Sequence, residues 1–211
     1  MVAESITDSG VEERLPWLEN GAVMSRAEFH RRYSQCEGLE RVELIEGVVY
    51  MPSPVKVEFH ERQRKLAMRW LEAYEESRPG DVEAMGGGSV LLDDSNEPVP
   101  DAMLYWLRPG RFRDGYLDGA PELVVEIANS SVSKDLHQKK AAYERNGVRE
   151  YVVWRVQDSV VDWFQLRDGA YVTRVPGSDG VIASEAFPGL RLDVPAMLRL
   201  DRKAVLAALA V

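Results

Sequence analysis

The chain has 211 residues, 45% of them hydrophobic and 29% charged, with a formal net charge of −9. This balance excludes a disordered chain, a fibrous repeat and a disulfide-stapled miniprotein, and the length predicts one domain with a sizeable core. The acidic sum counts against a sequence-indifferent nucleic-acid binder, although the distribution of charge matters more than its total. Residues 1–20 hold five acids and one arginine, whereas residues 134–149 hold five basic side chains against two acids.

No run approaches the ~18 apolar residues of a membrane span. Glu4 and Asp8 fall where a signal peptide would need basic and apolar residues, so no leader is expected. The single cysteine, Cys36, cannot pair within the chain, which fits a reducing, cytoplasmic setting.

Residues 1–20 lack periodicity and read as a loose arm before a single domain, residues 21–211. Ser25 followed by Glu28 matches a capping box and predicts a helix over residues 26–33. Apolar runs at 42–45 and 48–51 around Glu46-Gly47 predict a hairpin, which Pro52 and Pro54 stop. Phe59, Leu66, Ala67, Trp70, Leu71 and Tyr74 form one apolar face of a helix over 57–77. The run Gly86-Gly87-Gly88 lacks the lysine of a phosphate loop and leads into a strand at 89–92, so it reads as a flexible approach to that strand.

Residues 101–107 and 121–128 read as two strands joined by a long Gly- and Arg-containing loop, 108–120. A helix opens at Ser133 or Lys134 and closes at Gly147. Strands follow at 151–156, 160–166 and 171–175, the last two joined by an Asp168-Gly169 turn. Trp154, Val160, Trp163 and Phe164 read as core. Pro195 opens a closing helix with Met197, Leu198, Val205, Leu206 and Leu209 apolar. This order predicts a mixed α/β fold, its sheet mixed or largely antiparallel with helices packed on it.

Two carboxylates stand out in otherwise apolar strands, Asp101 in VPDAMLYWL and Glu126 in PELVVEIA. With antiparallel pairing that sets 101 opposite 128, the two share a face one diagonal step apart. Buried carboxylates repel unless a cation lies between them, and oxygen-only ligands point to Mg²⁺ or Mn²⁺. The plainer alternative has Asp101 capping a turn and Glu126 paired with an arginine. Asp135, Lys139 and Tyr143 follow at i, i+4 and i+8 on the next helix, so Lys139 can reach the carboxylate pair. Its plainer alternative is a solvated lysine paired with Asp135.

The ordered set RVELIEGVVYMPSP, His60, Pro100-Asp101, GAPELVVEIANSS, DLHQKKAAYERNGVREYVVW and AFPGLRLDV resembles the Uma-type restriction endonuclease-like family of the PD-(D/E)XK nuclease superfamily. The resemblance spans about residues 22–198 and implies a mixed central sheet flanked by helices, with antiparallel hairpins. It maps Asp101 and Glu126 onto the family's acidic pair. The superfamily lysine position holds Ala128, and Lys139 takes its place in a D-x-x-x-K-x-x-x-Y pattern, with Asp135 and Tyr143 beside it. Asn129-Ser130-Ser131 departs from the usual Ser-Pro-Ser. Glu43 matches a further acidic position, Glu46 reads as turn chemistry, and His60 matches a family histidine that either touches the phosphate or metal edge or serves as a core or capping residue.

The function so implied is metal-dependent hydrolysis of nucleic-acid phosphodiesters, DNA above all. Asp101, Glu126 and the Ile127 carbonyl would hold Mg²⁺, Lys139 would orient water, and Tyr143 would buttress Lys139. Arg108, Arg111, Arg113, Lys134 and Lys140 are the candidate substrate contacts, while His30 and His137 read as surface residues. A homodimer is expected, because cutting both strands is simplest with two sites related by a two-fold axis. The rival readings are a catalytically silent nuclease-fold DNA-binding or interaction module and a hydrolase of a small phosphorylated substrate.

Overall fold

The computed structural model describes residues 17–36, 38–52 and 60–210. Most of the expected arm, and the helix-face residue Phe59, lie outside them. Within residues 17–20, Leu18 is buried against Phe29, Val42, Leu44 and Val49, so the packed domain begins earlier than the acid pattern suggested.

Helix α1 (Arg26–Tyr33) starts at Ser25, whose side chain accepts from the Glu28 N–H at 3.3 Å. The hairpin β1 (Glu43–Ile45) and β2 (Val48–Tyr50) turns through Glu46 and Gly47, both at positive φ, as a two-residue hairpin turn requires. Helix α2 (Glu61–Glu76) buries Leu66, Ala67, Trp70, Leu71 and Tyr74 on one face. Strands β3 (Val82–Met85), β4 (Val90–Leu91), β5 (Ala102–Trp106), β6 (Phe112–Arg113), β7 (Tyr116–Asp118) and β8 (Leu123–Ala128) follow. The expected long loop at 108–120 therefore holds a small hairpin, β6–β7, and β7 also pairs in parallel with β4.

The crossover after β8 is not one regular helix. It runs as α3 (Val132–Lys134), a π-helical stretch (Asp135–Lys139) and α4 (Lys140–Arg145). Strands β9 (Glu150–Arg155), β10 (Val160–Arg167) and β11 (Ala170–Arg174) complete the main sheet, and β12 (Val181–Ala183) pairs with β13 (Arg191–Asp193). The closing helix is two helices, α5 (Val194–Leu198) and α6 (Arg202–Ala207). Leu200 at φ 58 breaks the chain direction, and Asp193 and Asp201 each cap a helix N-terminus through a backbone N–H three residues on.

The six-stranded sheet has the order β11-β10-β9-β8-β5-β3, with β8 and β9 parallel and the other pairs antiparallel. A parallel pair needs a long crossover, which residues 129–149 supply. Alternation divides the strands between two cores. Leu123, Val125 and Ile127 of β8 face α2 and the C-terminal helices, whereas Val124 and Ala128 face the opposite side with Tyr143 and Val148. Trp154, Trp163 and Phe164 are buried, as core residues should be, whereas Val160 at the start of β10 is only half-buried.

Trp70 anchors the first core. It is fully buried, meets the Trp163 ring edge-to-face at 6.0 Å and donates to the Arg191 carbonyl at 2.9 Å. Trp70→Ala is expected to destabilise the fold by about 3–5 kcal/mol, read as a lower urea midpoint with circular dichroism.

Candidate active site

The observed register pairs Ala102 with Val125 and Met103 with Val124. Continued one step, it sets Asp101 directly opposite Glu126, two residues away from the expected diagonal. The shift is even, so the shared face survives. That face is the one the crossover covers, which explains why a residue 13 positions further on reaches Glu126.

Lys139 is buried in the π-helical stretch and donates to Glu126 Oε1 at 2.9 Å. It also pairs with Glu43 Oε1 at 2.5 Å, and Lys134 Nζ donates to Glu43 Oε2 at 2.7 Å. It makes no ion pair with Asp135, so the solvated-lysine alternative does not hold. Asp135 instead accepts from the Ser131 hydroxyl at 2.5 Å. Tyr143 donates to the same Glu126 oxygen at 3.0 Å, so it supports the carboxylate and not the lysine. The wider π turn brings Asp135, Lys139 and Tyr143 inward together.

Asp101 lies one residue before β5, 4% exposed. Its Oδ2 accepts from the Ile127 N–H at 2.9 Å and meets His60 Nε2 at 3.2 Å, while Arg41 grips Oδ1. His60 thus joins the site at the head of α2, without capping the helix. The close backbone needed at Asp101 also explains Gly86. A Cβ there would lie 2.3 Å from the Asp101 carbonyl, so Gly86 is a packing device, whereas Gly87 meets nothing within 4 Å and adopts a φ of 77°.

Burial and charge set the protonation of these groups. Burial opposes ionisation of Asp101, but the His60 hydrogen bond and charge, the Ile127 N–H and Arg41 outweigh it and hold the carboxyl at about 2. Glu126 goes the other way. Burial pushes it up, Lys139 only partly opposes this, and Asp101, Asp135 and Glu43 add repulsion, leaving it at about 8. Burial would raise Glu43 too, but Lys139 and Lys134 hold it below the usual carboxylate range. Burial disfavours the Lys139 charge, yet Glu126 and Glu43 keep it firmly protonated.

These groups line one cleft of about 400 Å³, together with Tyr50, Ile127 and the 129–131 loop. Among the described residues, no three His, Cys, Asp or Glu side chains are arranged as a metal cluster. The donor set still fits a hard divalent ion that keeps several waters. Asp101 and Glu126 face each other, and the Ile127 N–H points at Asp101. In an extended strand the carbonyl of the same residue points to that side as well. Burial and the neighbouring carboxylates push Glu126 toward its protonated form, so a divalent cation beside it would stabilise the anion.

The structure does not bring the other expected substrate contacts here. Arg108, Arg111 and Arg113 follow the far end of β5, roughly 17 Å from Asp101 at about 3.3 Å per residue. Arg111 is committed to Glu122 at 3.0 Å and the Ala120 carbonyl, Arg108 lies 3.3 Å from Glu122, and Arg113 is bound to Asp118. Lys140 sits 3.9 Å over the Phe164 ring, on the sheet. Lys134 alone of the five lines the cleft. His30 is no free surface residue: it pairs with buried Glu97 at 3.0 Å, whereas His137 is exposed. Glu46 stays at its turn, bound to Arg145. Arg41 was not legible as a site residue, because only the fold at φ 58 turns it onto Asp101.

A family model described as "Uma2: Putative restriction endonuclease" matches residues 26–195. The chain belongs to the Uma2 family. This Uma2 chain also shares a fold with the crystal structure of "a putative nuclease belonging to DUF820" from Anabaena variabilis, at TM-score 0.63 and 14% identity, covering 81% of this chain and 97% of that one. No curated protein sequence matches it. The Uma2 fold is the mixed sheet flanked by helices that the resemblance implied, with the candidate site at one end of its central strands. Among the described residues of this Uma2 protein, no helix is long and apolar enough to cross a membrane.

Proposed function

We propose that this protein is a metal-dependent endonuclease that hydrolyses phosphodiester bonds of DNA. The observation that carries this reading is the convergence of Asp101, Glu126 and Lys139 in one cleft, from a strand start, a neighbouring strand and the crossover. Asp101, Glu126 and the Ile127 carbonyl would hold Mg²⁺ or Mn²⁺, whose chemistry when bound is polarisation of a phosphoryl oxygen and acidification of water.

The chain's own groups supply the rest. Lys139 directs its protons toward the attacking water and stabilises negative charge that develops on the phosphorus oxygens. Glu43 and Tyr143 hold that lysine and Glu126 in register, which fixes the geometry before substrate arrives. Arg41 and His60 keep Asp101 ionised and face the same cleft. Two copies acting on opposite strands would complete a double-strand cut.

A second reading, a silent nuclease-fold binding module, is favoured by one feature. Arg41, His60 and Lys139 already occupy the carboxylates that would hold the metal. Plasmid and single-strand cleavage assays with Mg²⁺, Mn²⁺ or chelator separate the two. Metal-dependent cutting that vanishes in folded Asp101→Ala and Glu126→Ala proteins is the expected result. A folded wild-type protein that cuts neither substrate in either metal rules out the enzyme.

A further inference from the structure

A second, larger cleft of about 840 Å³ lies between α2 and the start of α6. It begins where the catalytic cleft ends. His60 lines the first and Glu61 the second, and Arg41 of the first approaches Glu61 at 4.0 Å. Leu66, Met68 and Leu200 give it apolar walls, and five basic side chains against two acidic ones surround them in a chain of net charge −9. The two carboxylates there are already engaged, Glu61 by Arg64 at 2.9 Å and Glu72 by Arg69 at 3.6 Å. Arg62, Lys65 and Arg202 remain exposed, and among the described residues they have no ion-pair partner. The Arg69 Nε is buried without an acceptor.

We propose that this cleft is the track on which a DNA strand runs as it leaves the catalytic site, its phosphates held by Arg62, Lys65 and Arg202. The proposal rests on the nucleic-acid reading above and names a surface other than that of Arg108, Arg111, Arg113 and Lys140. Three uncompensated cations beside the catalytic cleft complement a polyanion, and the apolar surface of Leu66, Met68 and Leu200 between them suits the sugar faces of its backbone. Arg62 and Lys65 are about 4.5 Å apart along the helix axis, comparable to the roughly 3.4 Å of duplex axis per phosphate of one strand. Such contacts fix where the duplex lies without reading its sequence.

The test is fluorescence anisotropy with a labelled 20-base-pair duplex in EDTA, across a salt series, for the Arg62→Gln, Lys65→Gln, Arg202→Gln triple variant. Three lost phosphate contacts should lower the log–log salt slope by about 2.7 and weaken binding about tenfold or more at moderate salt. Neutralising Arg31, Arg167 and Arg174 instead makes an equal charge change elsewhere and should leave the slope as in the wild type. Urea midpoints show that both variants are folded. A triple variant with wild-type affinity and slope overturns the track, even if the wild type cuts plasmid. Equal losses in both variants also overturn it, because they show an effect of total charge. A wild type that never cuts plasmid but loses its salt-dependent binding in the α2 variant defeats the nuclease reading and leaves the track standing. A wild type that binds no duplex and cuts none overturns both.

Discussion

Lys139→Met is expected to lose all metal-dependent cleavage and about 3–5 kcal/mol of stability. The lysine is 3% exposed and lies between Glu43 and Glu126, at 2.5 and 2.9 Å. Methionine fills much of its volume, so packing changes little, but two buried carboxylates lose their shared counter-charge. The loss should depend on pH. Glu126 is already largely protonated below its raised value of about 8, so at pH 5 the lost counter-charge falls on Glu43 alone and at pH 8 on both carboxylates. Urea unfolding should therefore show a smaller deficit at pH 5 than at pH 8. An equal deficit at both values would mean that the lysine acts by packing alone.

Glu126→Gln is expected to flatten part of the pH dependence of stability and to abolish the proton linkage of metal binding. Glu126 is raised by burial to about 8 in the folded protein, against an ordinary value of 4.5. Between those values the folded state keeps a proton that the unfolded state has released. Folding therefore takes up a proton, and stability present at pH 4.5 is lost as pH rises to 8. At about 1.36 kcal/mol per pK unit the effect is on the order of 4 kcal/mol. Glutamine keeps an acceptor for Lys139 and Tyr143 but titrates in neither state. The variant should match the wild type near pH 4.5 and exceed it in stability at pH 8. In the wild type, a divalent ion must displace this proton, so Mg²⁺ affinity measured by calorimetry should rise about tenfold per pH unit below pH 8. Parallel stability curves for the two proteins from pH 5 to 8 would refute the shifted carboxyl. Asp101, held near 2, contributes the opposite slope only below about pH 4.

Much of this chain was legible from local rules. The Ser25 cap, the Glu46-Gly47 turn, the apolar face of α2 and the Asp168-Gly169 turn each involve residues close in sequence, and each formed where its pattern placed it. Period-two alternation also put Asp101 and Glu126 on one face, because an error of two residues in register leaves the face unchanged. Short strands β3, β6, β7, β12 and β13 escaped notice, since two to four residues give too little periodicity to read. The π-helical stretch and the break at Leu200 escaped for a different reason: tertiary packing overrides the regular helix that propensity favours at each place.

The sequence by itself determined the mixed α/β class, the family, and which carboxylates and lysine stand out from their apolar surroundings. Only the tertiary structure decided what those groups touch. It placed Glu43 on Lys139, turned Arg41 and His60 onto Asp101, spent Arg111 and Arg113 on local carboxylates, and left Arg62 and Lys65 of α2 and Arg202 of α6 uncompensated. The physical reason is range. Caps, turns and alternation act over two to four residues, whereas the charge on a buried side chain depends on partners 13 to 96 positions away that share no local pattern with it.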